Sequence, residues 1–198
     1  MRIVLASHNA GKVRECQQIL GGALSEVDIV DYHGPEPVED GITFAENALL
    51  KARAARTLTG LPSLADDSGL CVDILGGSPG IFSARWSGRH GEASANNALL
   101  LAQLCDIDDP NRRAHFTAVL ALVMPDAREF VVEGQWEGRL AHVPSGTNGH
   151  GYDPIFIPDG FGVTAAHLTS EQKNTQSHRS RAFDRIIPVI RSLLNEAE

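Results

Sequence analysis

Near its N-terminus the chain reads Ile3-Val4-Leu5-Ala6, then Ser7-His8-Asn9-Ala10-Gly11-Lys12, an apolar run followed by a polar, glycine-containing loop. The apolar run is typical of a buried strand, and Val13, Cys16 and Leu20 recur beyond the loop at helical spacing. The first amides of a helix and the positive end of its dipole favour an anion, and the lysine adds a mobile positive charge. Alanine at position 6 and valine at position 13 exclude a Walker A loop. The stretch therefore predicts a phosphate-binding loop of another kind.

The composition places the chain among globular enzymes. Its 198 residues suit one domain or one two-lobed unit, and the formal net charge of −8 argues against a nucleic-acid polymer as partner. Three cysteines, Cys16, Cys71 and Cys105, lack metal-site spacing and are expected to be buried, reduced thiols. We find neither a leader segment nor an apolar run of membrane-spanning length. We therefore expect a cytoplasmic protein with no membrane partner.

Predicted strands and helices alternate along the chain, which indicates a mixed α/β sheet flanked by helices. Thr43 and Glu46 form a capping box that opens an Ala-rich helix, and Gly60 closes it after about Thr57. Two strand-like runs joined at Pro125-Asp126 predict an antiparallel hairpin. The other predicted elements are strands at 3–6, 27–30, 64–65 and 70–74, a helix at 94–104 and two helical segments that end near Asn195.

Carboxylates occur in two separate segments that contain glycine. Asp66-Asp67-Ser68-Gly69 follows a short predicted strand, where neighbouring side chains point in opposite directions, so that one carboxylate can be structural and the other functional. The alternative is an Asx turn before the glycine. Glu39-Asp40 supplies further oxygen ligands. Because Mg²⁺ prefers one or two carboxylates together with substrate phosphates, these segments beside a phosphate loop are compatible with a magnesium site.

Basic residues gather near the start of the last predicted helix, at Lys173 and Ser177-His178-Arg179. A capped helix with a solvated face is one interpretation. Cations in a first turn oppose the helix dipole, however, and an anion docked between them would offset that. The segment His150-Gly151-Tyr152-Asp153-Pro154 offers a ring, Tyr152 or His150, that could stack on a base and a carboxylate that could accept a hydrogen bond from it. An ordinary turn is the alternative there.

Seven motifs occur in an order that resembles the inosine/xanthosine triphosphate pyrophosphatases, over essentially the whole chain. The motifs are Ser7-x-Asn9-x-x-Lys12, Glu39 before Gly41-Ile42-Thr43-Phe44, Glu46-Asn47-Ala48 with Lys51-Ala52, Ala65-Asp66-Asp67-Ser68-Gly69-Leu70, Pro79-Gly80-Ile81-Phe82-Ser83-Ala84-Arg85, Gly151-Tyr152-Asp153-Pro154-Ile155-Phe156 and Ser177-His178-Arg179.

The resemblance implies an elongated two-lobed α/β fold, the anticodon-binding/Maf-like fold of inosine triphosphatases, as a single domain over residues 1–198 with the nucleotide in a cleft between the lobes. It also implies a homodimer, and Mg²⁺-dependent hydrolysis of non-standard purine nucleoside triphosphates (ITP, dITP, XTP) to monophosphate and pyrophosphate. Glu39 and Asp67 would bind the metal, and Asp67 would activate water, with Lys12 and Lys51 as further catalytic residues. The substrate-binding residues would be Ser7, His8, Asn9, Ala10, Gly11, Lys12, Ser68, His150, Gly151, Tyr152, Asp153, Lys173, His178 and Arg179.

Two points of this interpretation depend on residues particular to the chain. Lys51 lies on an Ala-rich helix, where a lysine is usually just solvated. Relatives commonly carry an aromatic residue at the position of His150, so we expect weaker base stacking and an affinity that depends on pH. A pyrophosphatase acting on other triphosphates, such as modified pyrimidines, and a nucleotide sensor without turnover are the alternatives.

Overall fold

The computed structural model describes residues 1–196. Its strands are β1 (Arg2–Leu5), β2 (Asp28–Asp31), β3 (Ser63–Val72), β4 (Arg113–Val123), β5 (Glu129–Leu140) and β6 (Phe156–Pro158). Its α-helices are α1 (Ala10–Ala23), α2 (Phe44–Thr59), α3 (Ala93–Gln103), α4 (Ser170–Asn174) and α5 (His178–Asn195). Within this range, none of the helices combines the length and the apolar character that crossing a membrane requires.

The strands form a mixed sheet in the order β2-β1-β3-β4-β5-β6. Strand β1 pairs in parallel with β2 and β3, whereas β5 and β6 pair antiparallel. The neighbours β4 and β5 are joined by a tight turn, in which the Met124 N–H donates to the carbonyl of Arg128 at 2.9 Å. Parallel strands would need a much longer connection, so this is the predicted antiparallel hairpin. The predicted mixed α/β fold is confirmed.

The chain divides into two compact units, each with its own apolar core. Unit 1 consists of Met1–Asp67, Ala118–Gly134 and the residues from Arg179 onward, and unit 2 of Ser68–Thr117 and Gln135–His178. In unit 2 the rings of Phe116 and Trp136 pack edge-on against Phe156, at centroid distances of 4.7 and 5.5 Å. The single two-lobed domain over residues 1–198, whose last two residues lie outside the described range, and the cleft stay predictions.

Helix α2 begins and ends where its local signals place it. The Thr43 hydroxyl accepts from the Glu46 N–H at 3.1 Å, and the Glu46 carboxylate accepts from the Ile42 N–H at 2.6 Å, one residue before the expected partner. Gly60 ends the helix with φ +68°, a conformation that glycine adopts at little cost. The face toward the core of unit 1 carries the buried side chains of Ala48, Ala52 and Ala55, with Phe44 and Leu49 packed at its edge.

The prediction that Asp66-Asp67-Ser68-Gly69 separates two short strands is wrong. Strand β3 runs without interruption through these residues, and the 3-10 turn Asp73–Leu75 follows where the sequence predicted that the strand continues to Ile74. Both aspartates are buried. A carboxylate can lie inside a central strand only when cations pair with it, and such partners are distant in sequence.

The cysteine prediction holds for two of the three residues. Cys16 and Cys71 are buried, whereas Cys105, just beyond the end of α3, is exposed. All three are free thiols. Burial, reinforced by the negative charge of Asp66, raises the pKa of Cys16 to about 12. A thiol that stays protonated is a poor nucleophile, because the thiolate is the reactive form.

We therefore expect iodoacetamide to modify one thiol of the native protein at pH 8, that of Cys105, and three thiols after unfolding in urea. Intact-mass spectrometry counts the adducts. Cys105→Ser is the control and should leave the native protein unmodified. Rapid native modification of Cys16 would contradict its burial.

Candidate active site

The predicted phosphate loop, Ser7–Lys12, leads directly into α1. Asn9 is the N-cap of the helix, and its side-chain oxygen accepts from the N–H groups of Gly11 and Lys12 at 3.0 and 3.2 Å. The Ser7 hydroxyl accepts from the Asn9 N–H at 3.2 Å. Two amides at the start of α1 are thus already bonded to a side-chain oxygen. A phosphate that used them would have to exchange with the Asn9 carboxamide.

A buried ion-pair network lies next to this loop in unit 1. The Lys12 ammonium donates to one carboxylate oxygen of Asp66, and Arg179 Nε donates to the other at 2.9 Å. Arg179 Nη1 also donates to Glu15 Oε2 at 2.6 Å. Only 3% of Asp66 and 2% of Arg179 is exposed. The network thereby connects the start of α1, the middle of β3 and the start of α5.

The network shifts the pKa values of its members. Burial favours the neutral acid of Asp66, but the charges of Lys12 and Arg179 outweigh burial and hold the pKa of Asp66 well below its usual value. Burial also opposes the charge of Arg179, and the carboxylates of Asp66 and Glu15 reverse this and raise its pKa. Both groups therefore stay charged.

The same contacts explain why cations are tolerated in the first turn of α5, which begins at His178. The sequence analysis expected an anion that offsets the cations of this turn. The carboxylates of Asp66 and Glu15 provide that negative charge from within the protein. The predicted substrate contact of Arg179 stays a prediction. Glu15 was not predicted from the sequence, because a glutamate one turn beyond Lys12 on a helix resembles an ordinary surface residue.

Lys51 joins the two predicted metal ligands. Its ammonium lies 2.8 Å from Glu39 Oε1 and 3.1 Å from Asp67 Oδ1, and its side chain is only 12% exposed. The alternative that Lys51 is merely a solvated lysine on the helix surface is therefore wrong. Burial tends to lower the pKa of Lys51, but Asp67 and Glu39 reverse this and raise it. Burial raises the pKa of Asp67, and the nearby lysines offset that only in part.

The donor set fits a magnesium ion that shares its coordination with a substrate. Among residues 1–196, no group of three or more His, Cys, Asp or Glu side chains could enclose a metal. Glu39 and Asp67 nevertheless bind the same cationic nitrogen, so the two carboxylates converge on one position of positive charge. Mg²⁺ is commonly bound through one or two carboxylates, with phosphates and water as its other ligands.

His8 lies against the residues that follow β2. Its ring stacks on Tyr32 at a centroid distance of 5.6 Å, and its Nδ1 lies 3.3 Å from Glu36 Oε1. Both members of the pair with Glu36 are substantially exposed, so the pair itself contributes little to stability. These contacts hold the imidazole, which belongs to the predicted phosphate loop, against Tyr32 and Glu36.

In unit 2, the Asp153 carboxylate organises the predicted base-binding loop. Its Oδ2 accepts from the His150 N–H at 2.7 Å and from the Lys173 ammonium at 2.5 Å. A Cβ atom at Gly149 would lie 2.1 Å from the same oxygen, and the φ of +76° there also favours glycine. The structure thus brings together three predicted site residues, His150 and Asp153 of this segment and Lys173 of α4.

The rings of this region have different environments. Tyr152 is buried in the core of unit 2, with 5% of its surface exposed, and its hydroxyl donates to the Ser83 carbonyl at 2.8 Å. Burial also raises its pKa. His150 is exposed, and its role in stacking on a base stays a prediction. His178 is buried and stacks on Phe116 at 4.9 Å.

The predicted site residues fall into two groups. Unit 1 holds Ser7–Lys12, Glu39, Lys51, Asp67 and Arg179. Unit 2 holds Ser68, His150–Asp153, Lys173 and His178.

Replacing Asp66 by asparagine tests the buried network. Because the folded-state pKa of Asp66 lies below the value of about 3.9 in an unfolded chain, its contribution is complete above that pH and is lost as the pH falls further. We expect Asp66→Asn to lower the free energy of unfolding at pH 7 by about 3 kcal/mol. The difference from wild type should shrink between pH 4 and pH 3, as measured by urea unfolding.

The matched control is Asp28→Asn, which removes a strand carboxylate whose pair with Arg2 is exposed. It should change stability by less than about 0.5 kcal/mol. A difference between Asp66→Asn and wild type that stays constant down to pH 3 would contradict the ionic role of Asp66.

Comparisons with known proteins extend over nearly the whole chain. A dITP/XTP pyrophosphatase of Leifsonia xyli subsp. xyli is 63% identical over 193 residues, which cover 98% of this chain and 97% of that protein. A crystal structure described as a nucleoside-triphosphatase / dITP/XTP pyrophosphatase from Mycobacterium abscessus has a TM-score of 0.80 at 49% identity, covering 96% of this chain and 100% of that one. A HAM1 protein structure from Coxiella burnetii reaches a TM-score of 0.89 at 39% identity, covering 97% and 99% of the two chains.

The sequence model of the Ham1 family matches residues 3–189, which include every predicted site residue. The order of motifs along the sequence, the fold and these similarities agree. The chain belongs to the Ham1 family.

Proposed function

We propose that the protein hydrolyses the non-standard purine nucleoside triphosphates ITP, dITP and XTP to the monophosphate and pyrophosphate. This activity would remove such nucleotides before their bases enter DNA or RNA. The observation that carries the proposal is the convergence of Glu39 and Asp67 on one cationic nitrogen, that of Lys51, in the unit that also holds the phosphate loop. The relatives described as dITP/XTP pyrophosphatases support the choice of substrate.

Mg²⁺ is proposed as the cofactor, held by Glu39 and Asp67. When bound, it would supply a Lewis acid that neutralises charge on the phosphate oxygens. The carboxylates already bind a cation in this position, so accepting the ion requires no change in the sign of charge around them. The Lys51 ammonium would then shift from the carboxylates toward the substrate.

The residues of unit 1 would carry out the chemistry. Asp67 orients the attacking water and accepts its proton, as a carboxylate within hydrogen-bond reach can. Lys12 and Lys51 stabilise negative charge on the leaving pyrophosphate, and the Ser7–Lys12 loop holds the triphosphate in line for attack. Phosphoryl transfer depends mainly on such positioning and charge stabilisation, and this group of residues supplies both.

The residues of unit 2 would select the purine. Hypoxanthine and xanthine carry a carbonyl at position six where adenine carries an amino group, so hydrogen-bond donors facing that position are left unpaired by adenine. The loop around Asp153, together with Lys173 of α4, presents polar groups, and His150 is exposed. These residues are proposed to bind the base.

We also propose a homodimer and a cytoplasmic location. The dimer follows from the family resemblance. The location follows from the substrate, because nucleotide pools are used for DNA and RNA synthesis inside the cell.

Asp67→Asn tests the proposed chemistry. With Mg²⁺ present, we expect wild-type protein to release pyrophosphate from ITP and XTP much faster than from ATP and GTP. The variant keeps the size of the side chain but cannot take a proton, so its rate should fall about 10²- to 10⁴-fold.

Asp108→Asn, at an exposed loop position, is the control and should keep full activity. A coupled assay that separates pyrophosphate from orthophosphate provides the measurement. Orthophosphate as the product would place cleavage at another bond and overturn the mechanism.

His150→Phe tests the stacking role. A phenyl ring is larger and less strongly hydrated than imidazole, and a base stack of this kind contributes about 1–3 kcal/mol by alanine substitution. We expect the KM for ITP to fall in His150→Phe and to rise about tenfold in His150→Ala, with kcat little changed.

Steady-state kinetics measures both constants. His142→Ala removes another exposed histidine of the preceding loop and should leave KM unchanged. If both His150 variants keep the wild-type KM, the base does not stack on this residue.

A further inference from the structure

Helix α3 contributes a side chain to the base-binding loop that the sequence did not predict. Asn97 lies on this helix in unit 2, with 6% of its surface exposed. Its Nδ2 donates to the carbonyl of Gly151 at 3.0 Å. Gly151 follows His150 directly and has a φ of +65°. The contact therefore holds the backbone at the residue after the proposed stacking ring.

The hydrogen bond fixes the orientation of the Asn97 amide. Its Oδ1 is buried and has no hydrogen-bond partner among residues 1–196. Turning the amide over would place this oxygen against the Gly151 carbonyl, where two acceptors repel. A buried acceptor without a partner costs free energy, so Asn97 is a poor choice for stability alone.

The neighbouring Asn96 has the opposite character. Its Oδ1 accepts from the Ser87 N–H at 2.7 Å, and its Nδ2 lies 3.4 Å from the carbonyls of Ser83 and Ala84. This amide uses both ends to tie α3 to the preceding loop. The two adjacent buried asparagines thus differ. Asn96 bonds to backbone groups of the segment before α3, whereas Asn97 bonds to the backbone of the base-binding loop.

The loop is fastened at separate points, and each fixes a different residue. The Asp153 carboxylate holds the His150 N–H, and the Tyr152 hydroxyl is held by Ser83. Asn97 fixes the peptide between these two anchors, at Gly151. Glycine has the widest backbone freedom of any residue, so this is the position where an added tether restricts the loop most.

We infer that Asn97 is a positioning residue for purine selection: its amide fixes the Gly151 carbonyl and thereby the direction of the His150 ring and of the adjoining peptide groups. This inference rests on the proposed function, since it assumes that the loop binds the base. The residue acts through the loop backbone and does not touch the phosphates or the reacting atoms.

The test compares Asn97→Leu and Asn97→Asp with wild type. Leucine has a similar volume and removes both amide groups, whereas aspartate keeps the shape and faces the Gly151 carbonyl with an acceptor. We expect KM for ITP to rise about threefold to tenfold in both, with kcat nearly unchanged. The ITP-to-ATP ratio of kcat/KM should fall, and inhibition by pyrophosphate should stay at the wild-type level.

Thermal unfolding distinguishes positioning from structure. Asn97→Leu should unfold within a few degrees of wild type, because it also removes the unpartnered oxygen, whereas Asn96→Leu should be clearly destabilised. Leu99→Gln, at an exposed position of α3, is the neutral control for kinetics and stability.

The remaining outcomes overturn the inference. Wild-type KM and selectivity in both Asn97 variants would show that the tether has no part in purine selection. A parallel loss of stability, kcat and pyrophosphate affinity would assign Asn97 a structural role. Pyrophosphate release by the wild-type protein is measured first. If it releases none from ITP or XTP, the proposed function itself fails, independently of the Asn97 variants.

Discussion

The pairing of the Asp66 carboxylate with Lys12 and Arg179 connects three segments that are far apart in sequence. Asp66 is 54 residues from Lys12 and 113 residues from Arg179. Transferring these groups from water to the protein interior is expensive, and a buried pair rarely recovers more than that cost. Its value here is geometric, because only one arrangement of β3, α1 and α5 leaves none of these charges unpaired. The phosphate loop, which ends at Lys12, takes its position from this arrangement.

Adjacent carboxylates on β3 have separate sets of partners. Asp66 pairs with Lys12 and Arg179, and Asp67 with Lys51, which also reaches Glu39. Side chains of neighbouring strand residues point to opposite faces, so one backbone segment can serve two tasks. The carboxylates divide the structural and the proposed metal-binding tasks between them, whereas Lys12 and Arg179 pair with Asp66 and are also proposed to bind the substrate. Electrostatic stabilisation of a reaction benefits from such groups being fixed in advance.

The elements that were predicted from sequence are those with local signals. The Thr43 N-cap, the glycine at position 60 and the hairpin turn each depend on neighbouring residues, and the structure has all three, although the Glu46 carboxylate bonds to Ile42 and not to the N-cap residue. The uninterrupted β3 was missed because Asp and Gly normally favour turns, and the cations that reverse this preference are distant in sequence. The candidate site residues came mainly from ordered motifs. Asn97 carried no signal, since its role depends on a carbonyl 54 residues away.

The alternation along β3 also fixes how this strand lies in the sheet. A strand that slips by one residue turns every side chain to the opposite face. Such a slip would put either Ser68 in the place of Asp67 or Ala65 in the place of Asp66, so that Lys51 or Arg179 would lose its carboxylate partner on β3. Apolar residues on both faces of β3 are similar in kind, with Leu64 and Ala65 both fully buried, and distinguish the two registers only weakly. The paired charges therefore favour one register of β3, which its apolar residues alone would specify only weakly.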